Sequence, residues 1–369
     1  MKASVKNVFD KRKASLNSVA TISILLSAVA LSGCGSSSSS DANDTTTPAP
    51  AAEGTAEYVS DNNELKGDFE ENVTLVAGNT YKIAGEVNFR EGTTLTIPAG
   101  TTLYGLTQSS YLAINAGATI DADGTESDPI IFTSAADVAG TSSRDAQGEW
   151  GGLTIIGKAP IIGGTVTYEA GDQVGGGSDA ADNSGTLDYV IIKHTGFEVE
   201  EDKELNGLSL LAVGSGTTIS NVAVLGGADD GIELWGGTVN LENVYVYNAG
   251  DDSIDTDLGY TGTVTNAVVR QKVVDKTNYD SSGIENGNDS DSYTSVGGTA
   301  GVGSEANQAT MPTFKNVTVE SVGGAIYLKN DAGARFDNVR VTVKPSAVNG
   351  QDDTAGQAIV THRTTDTVD

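Results

Sequence analysis

Ile219-Ser220-Asn221-Val222-Ala223-Val224 is followed by Leu241-Glu242-Asn243-Val244-Tyr245-Val246 and by Val264-Thr265-Asn266-Ala267-Val268-Val269. The three stretches are one pattern: apolar, any residue, Asn, apolar, any residue, apolar. It returns as Phe314-Lys315-Asn316-Val317-Thr318-Val319 and as Phe336-Asp337-Asn338-Val339-Arg340-Val341, with Asn-to-Asn steps of 22, 23, 50 and 22. A fixed period of this size marks a solenoid, in which each repeat buries its apolar face against its neighbours. On both sides of the Asn, apolar residues recur every second position, which is the period of a strand and not of a helix.

A second column lies about half a repeat later. It reads Gly207-Leu208-Ser209-Leu210, Gly231-Ile232-Glu233-Leu234, Ser253-Ile254-Asp255-Thr256, Gly283-Ile284-Glu285-Asn286 and Ala325-Ile326-Tyr327-Leu328. Short strands in fixed phase predict an all-β chain wound into coils of about 22 residues, a parallel β-helix. Ala77-Gly78, Ala99-Gly100 and Ala116-Gly117, at steps of 22 and 17, continue the turns toward the N-terminus. The 50-residue step requires an insertion within 271–311, and further insertions are expected near 134–149 and 169–184.

The Asn column has a physical reason. Strands of neighbouring coils stack about 4.8 Å apart, so identical amides can hydrogen-bond as a ladder along the solenoid. Asn also tolerates the left-handed backbone of a sharp bend between strands. With its Asn ladder, residues 70–365 resemble the right-handed parallel β-helix of the pectate-lyase-like superfamily. The stretch Glu149-Trp150-Gly151-Gly152-Leu153-Thr154-Ile155, with Lys158-Ala159-Pro160, is similar to uncharacterised lipoproteins of marine and gut bacteria. Right-handedness is implied by the resemblance and not by the spacing.

The repeats bring acids into register. Asp229-Asp230-Gly231-Ile232-Glu233 and Asp251-Asp252-Ser253-Ile254-Asp255 match position by position at an offset of 22. Asp229 is expected over Asp251, Asp230 over Asp252 and Glu233 over Asp255, with Glu285 continuing the last column and Asp257 nearby. Stacked carboxylates repel and raise one another's pKa unless a cation intervenes. A hard cation such as calcium relieves this through oxygen ligands. The arrangement also resembles the calcium site of family 9 pectate lyases, which carries over Asp229, Asp251, Asp252 and Asp255 as ligands. Solvated decoration of a secreted surface is the competing reading of the same acids.

A catalytic base is harder to place. Lyases of the superfamily abstract a proton with Lys or Arg, and Arg270, Lys272, Lys193 and Lys329 have no distinguishing spacing. The Gly-His-Gly motif of the related polygalacturonases is missing, and His194 and His362 have no Asp or Ser partner at an interpretable spacing. No Gly-x-Ser-x-Gly, His-Glu-x-x-His or phosphate-binding loop occurs. Trp150 and Trp235 could stack on a sugar, or pack at the corners of coils.

The N-terminus reads as an export signal. Lys2, Lys6, Lys11, Arg12 and Lys13 precede an apolar run from Val19 to Leu31, which is too short to span a membrane as a helix. Leu31-Ser32-Gly33-Cys34 resembles a bacterial lipobox, which implies cleavage of residues 1–33 and lipid on Cys34. An ordinary cleaved signal is the alternative. Gly35, in place of an Asp, favours the outer membrane over the inner. Residues 34–57 form a Ser-, Thr- and Pro-containing tether, and 58–369 the β-helix domain.

Composition agrees with export. The 369 residues hold 21 Lys+Arg against 50 Asp+Glu, a formal charge of −29, and loss of the signal enlarges the acidic surplus. Such a charge argues against nucleic acid as a partner. One Cys and two His exclude an intrachain disulfide and a Cys/His structural zinc site. The sequence thus points to a lipid-anchored cell-envelope β-helix, non-enzymatic, with a membrane contact through Cys34. Calcium is expected at Asp229, Asp230, Glu233, Asp251, Asp252 and Asp255, with a polysaccharide or surface partner. A tethered calcium-dependent polysaccharide lyase or hydrolase, and a structural or adhesive surface component, are the alternatives.

Overall fold

The computed structural model describes residues 55–57, 62–200, 203–271, 282–288, 309–321, 324–330, 332–343 and 359–361. The export signal, Cys34, most of the tether and most of the 271–311 insertion lie outside the described residues. Among the described residues, 24 strands join into one hydrogen-bonded system. Its pairings are parallel, the mark of coils stacked in one direction.

Each coil crosses three faces. One coil runs through Ile232–Trp235, Asn240–Glu242 and Tyr245–Tyr247, and the next through Ile254–Asp257, Thr263–Thr265 and Val268–Arg270. On the first face the register is Leu208, Ile232, Ile254, Ile284, Ile326, which is the second sequence column. Alternation sends every other side chain inward. In one coil Ile232, Leu234, Val239, Leu241, Val244 and Val246 are each at most 1% exposed. Burying an aliphatic side chain is worth about 1.5–3 kcal/mol, so each coil is held mainly by the coils beside it.

The Asn pattern sits at the bend between the second and third faces. Asn221, Asn243, Asn266, Asn316 and Asn338 all have left-handed backbones, with φ between 52° and 59°. Their amides form the expected ladder. Asn243, Asn266 and Asn316 each donate through Nδ2 to the Oδ1 one coil earlier at 3.2 Å, and Asn338 does so at 2.9 Å. Asn221 ends the ladder on Asp188 Oδ1 at 2.7 Å.

The Ala-Gly turns do not form the single column that the sequence suggested. Gly78 and Gly100 both lie at the bend between the second and third faces, whereas Gly117 lies between the first and second. There Gly117 stacks on Gly92, whose N–H donates to the Gly117 carbonyl at 2.9 Å. The 17-residue step joined two different corners, whereas the 22-residue step joined equivalent ones.

Excursions cover the outer faces. Residues 135–149 leave after the strand Ile130–Ser134, form a helical turn Ala135–Val138 and dock on the third face. Gln147 Nε2 pins them by donating to the Gly227 and Asn248 carbonyls at 2.7 and 2.9 Å. Residues 157–184 carry a small antiparallel pair, Val166–Thr167 with Val174–Gly175, and fold over the first face. There Ile161 and Tyr168 pack with Ile156, Leu211, Trp235 and Leu258.

Candidate metal centre

The acids occupy the corner that leads into the first face, and their placement begins with the backbone. Asn206 Oδ1 accepts the N–H of Asp230 at 3.1 Å, and Asp230 Oδ1 accepts the N–H of Asp252 at 2.8 Å. Asp252 Oδ1 in turn accepts from the Ser282 backbone N–H and, at 2.7 Å, from its hydroxyl. This is a second ladder, of side chain to backbone, climbing one coil per step. Each carboxylate satisfies a buried amide that would otherwise be orphaned. Two acids expected only as ligands therefore also hold neighbouring coils in register.

From that corner the chain enters the strands Ile232–Trp235 and Ile254–Asp257, where Glu233 pairs with Asp255 and Asp255 with Glu285. Two clusters result. Asp229, Asp230 and Asp251 each offer an oxygen within 4.8 Å of the others, and so do Asp230, Glu233 and Asp255. Asp230 belongs to both. Unlike a solvated decoration, the column is enclosed: Asp230, Asp252, Asp255 and Glu285 are 6%, 4%, 9% and 3% exposed.

Enclosure changes their protonation. Burial, reinforced by Asp229, Asp255 and Asp251, pushes the Asp230 pKa well above the carboxylate range. Glu233 is raised by burial and by Asp230, although Asn206 Nδ2 donates to its Oε2 at 2.5 Å. Asp252 is raised by burial and by Glu285 and Asp230. Glu285 is pushed up to about 8, by burial and Asp255, against the pull of Lys329. Two unit charges this close repel by about 3 kcal/mol at an effective dielectric constant near 20. The column thus stores repulsion that a cation would relieve.

The residues fit calcium on geometric grounds. Calcium–oxygen distances of about 2.3–2.6 Å place two ligand oxygens on one ion no more than about 5 Å apart, and both clusters meet that limit. Of the ligands carried over by resemblance, Asp229 and Asp251 fall in one cluster and Asp255 in the other. Asp252 falls in neither, its Oδ1 being engaged by Ser282. Asp230 and Glu233, named from register alone, complete the clusters.

The described basic residues considered earlier are engaged in ion pairs, Lys329 within the column itself. Lys329 pairs with Glu285. Although burial opposes its charge, Glu285 and Asp255 raise its pKa, so the ammonium holds its proton. Arg270 pairs with Glu320 at 3.1 Å and Lys193 with Asp137 at 2.5 Å. Lys272 and His362 lie outside the described residues.

Both tryptophans pack in the protein. Trp150 is fully buried and donates through Nε1 to the Lys193 carbonyl at 2.7 Å, and Trp235 is 8% exposed beneath residues 157–184. His194 does have an acid neighbour, Asp137 at 3.7 Å, supplied by the 135–149 excursion. Burial raises the Asp137 pKa, but hydrogen bonds from His194, Lys193 and Thr133 outweigh it and hold it well below the ordinary value. That cluster joins the excursion to the third face.

Comparison with protein families places this geometry. Residues 67–368 match the model of the pectate-lyase-like β-helix domain. The chain belongs to that family. Its fold is a right-handed parallel β-helix, and the family fits a polysaccharide-active or surface β-helix protein. Neither the curated proteins nor the solved structures contain a match to the chain.

Proposed function

We propose that this protein is a lipid-anchored β-helix of a bacterial cell envelope, on the outer rather than the inner membrane. It is non-enzymatic, binds calcium and presents its faces to a glycan or surface partner. The observation that carries the reading is the pair of clusters sharing Asp230, built on two coils whose register holds Glu233 over Asp255. Asp229, Asp251 and Asp230 would hold the ion on one side, Glu233 and Asp255 on the other. The bound ion would neutralise the column and cross-link consecutive coils. Engagement of Lys329, Arg270 and Lys193 in ion pairs supports the non-enzymatic reading, and Cys34 supports the anchor.

Calorimetric titration of the full-length chain with calcium tests the first part. Saturable binding with a rise in Tm, reversed by chelator, is expected; no heat and no shift at millimolar calcium would overturn it. Cys34→Ser should move the protein from the membrane to the soluble fraction, and retention in the membrane would refute the anchor. Release of unsaturated or reducing ends from a polyuronate would instead establish the enzyme.

A further inference from the structure

The acid column does not end at Asp255. Glu285 continues it one coil further, 3% exposed, and no hydrogen-bond partner reaches its Oε2 among the described residues. Its other oxygen meets the Lys329 ammonium. Lys329 reaches that point from the coil above, its N–H donating to the Asn286 carbonyl at 3.0 Å. The route of its side chain is specific. A Cβ at Gly287 would lie 2.9 Å from Lys329 Cε and 3.2 Å from its Cγ, with Asp257 Oδ2 3.7 Å away. The lysine stem crosses the backbone at this glycine and runs close over it toward Glu285.

The ammonium therefore stands where the next cation of the column would stand, facing Glu285, Asp255 and Asp257. We propose that Lys329 is the built-in cation of this column, closing its upper end so that divalent ions enter only at the Asp229–Glu233 and Asp251–Asp255 coils. Removing the ammonium opens a further divalent slot at Asp255, Asp257 and Glu285. The inference rests on the calcium reading above and adds to it what limits the number of ions bound. It gives Lys329 a positioning role: a tethered charge that occupies a slot and reacts with nothing.

The test is calcium stoichiometry in the full-length chain, measured by calorimetry with calcium chloride alone. Lys329→Met should bind one more ion per chain than wild type, and Lys329→Arg, which keeps a cation, should match wild type. Lys329→Gln, which keeps a polar side chain of similar reach but removes the charge, is expected to gain the same ion. It serves as the second arm if Lys329→Met does not fold, as judged by circular dichroism. Equal stoichiometry in wild type, Lys329→Met and Lys329→Gln would overturn the inference while leaving calcium binding standing. Silence in wild type with one ion in Lys329→Met would support the inference and sink calcium binding by the native chain. Silence in all variants would overturn both.

Discussion

Asp230 is the residue at which scaffold and site separate most cleanly. Its Oδ1 accepts the Asp252 N–H at 2.8 Å, and its charge is shared by both carboxylate clusters. Asp230→Ala removes both roles and leaves a buried amide unsatisfied, at a cost of about 1–3 kcal/mol. For a domain of this size that lowers Tm by about 2–4 °C per kcal/mol. Asp230→Asn keeps an acceptor oxygen in the same place and removes only the charge. In chelator at pH 8 its Tm should equal or exceed that of wild type, because the amide no longer adds to the repulsion of Asp229, Asp251 and Asp255. Calcium at 100 times its dissociation constant stabilises wild type by about 2.7 kcal/mol. A tenfold loss of affinity in Asp230→Asn would remove about 1.4 kcal/mol of that. Thermal melts of the three proteins, with and without calcium, provide the assay. The reasoning fails if Asp230→Asn responds fully to calcium, or if its apo form is as unstable as Asp230→Ala.

Other perturbations probe the coil and the column. Asn266 makes two ladder bonds at 3.2 Å in a left-handed backbone. Asn266→Gly should cost about 1–3 kcal/mol in urea melts for the bonds, and Asn266→Ala about 1–2 kcal/mol more for the backbone; equal costs would refute the conformational part. A Cβ at Gly231 would lie 2.4 Å from Val246 Cγ1 and 2.6 Å from the Ser253 carbonyl oxygen, so Gly231→Ala should cost about 1–3 kcal/mol. An unchanged melting curve would contradict that packing. The acids also set a pH dependence. Asp230, Glu233, Asp252 and Glu285 are raised in the folded chain, Glu285 to about 8, so the folded state holds protons that the unfolded chain releases. Their stabilising contribution is complete below the ordinary carboxylate pKa and is lost as pH rises through their raised values, which for Glu285 is about 8. Apo Tm should fall between pH 5 and 8.5 and fall less in saturating calcium, and calcium affinity should rise with pH because binding expels protons; a flat apo profile would count against the enclosed column.

The fold was legible because one coil's chemistry is repeated. The Asn at each bend and the small residue followed by Ile or Leu at the start of each first-face strand recur, so a 22-residue step sufficed to pair Glu233 with Asp255 before any coordinates. The same periodicity misled where it was only approximate. The 17-residue step to Gly117 compared unlike corners, and a count of residues does not distinguish two corners that carry the same dipeptide. Burial of the acid column was not legible, since spacing brings the acids into register without fixing what encloses them, and they are no more than 9% exposed at Asp230, Asp252, Asp255 and Glu285. Nor did spacing reveal that Asp230 and Asp252 hold backbone amides, because this requires the fold of the corner. Lys329 was hidden for a related reason: it reaches the column across Gly287, two elements separated in sequence by the long insertion. Periodicity reports what all coils share, and the site is made where they differ. Asn206 begins the corner ladder as an amide, Asp230 and Asp252 continue it as carboxylates, and Ser282 ends it as a hydroxyl. Only the two middle steps add charge, and it is there that both carboxylate clusters form.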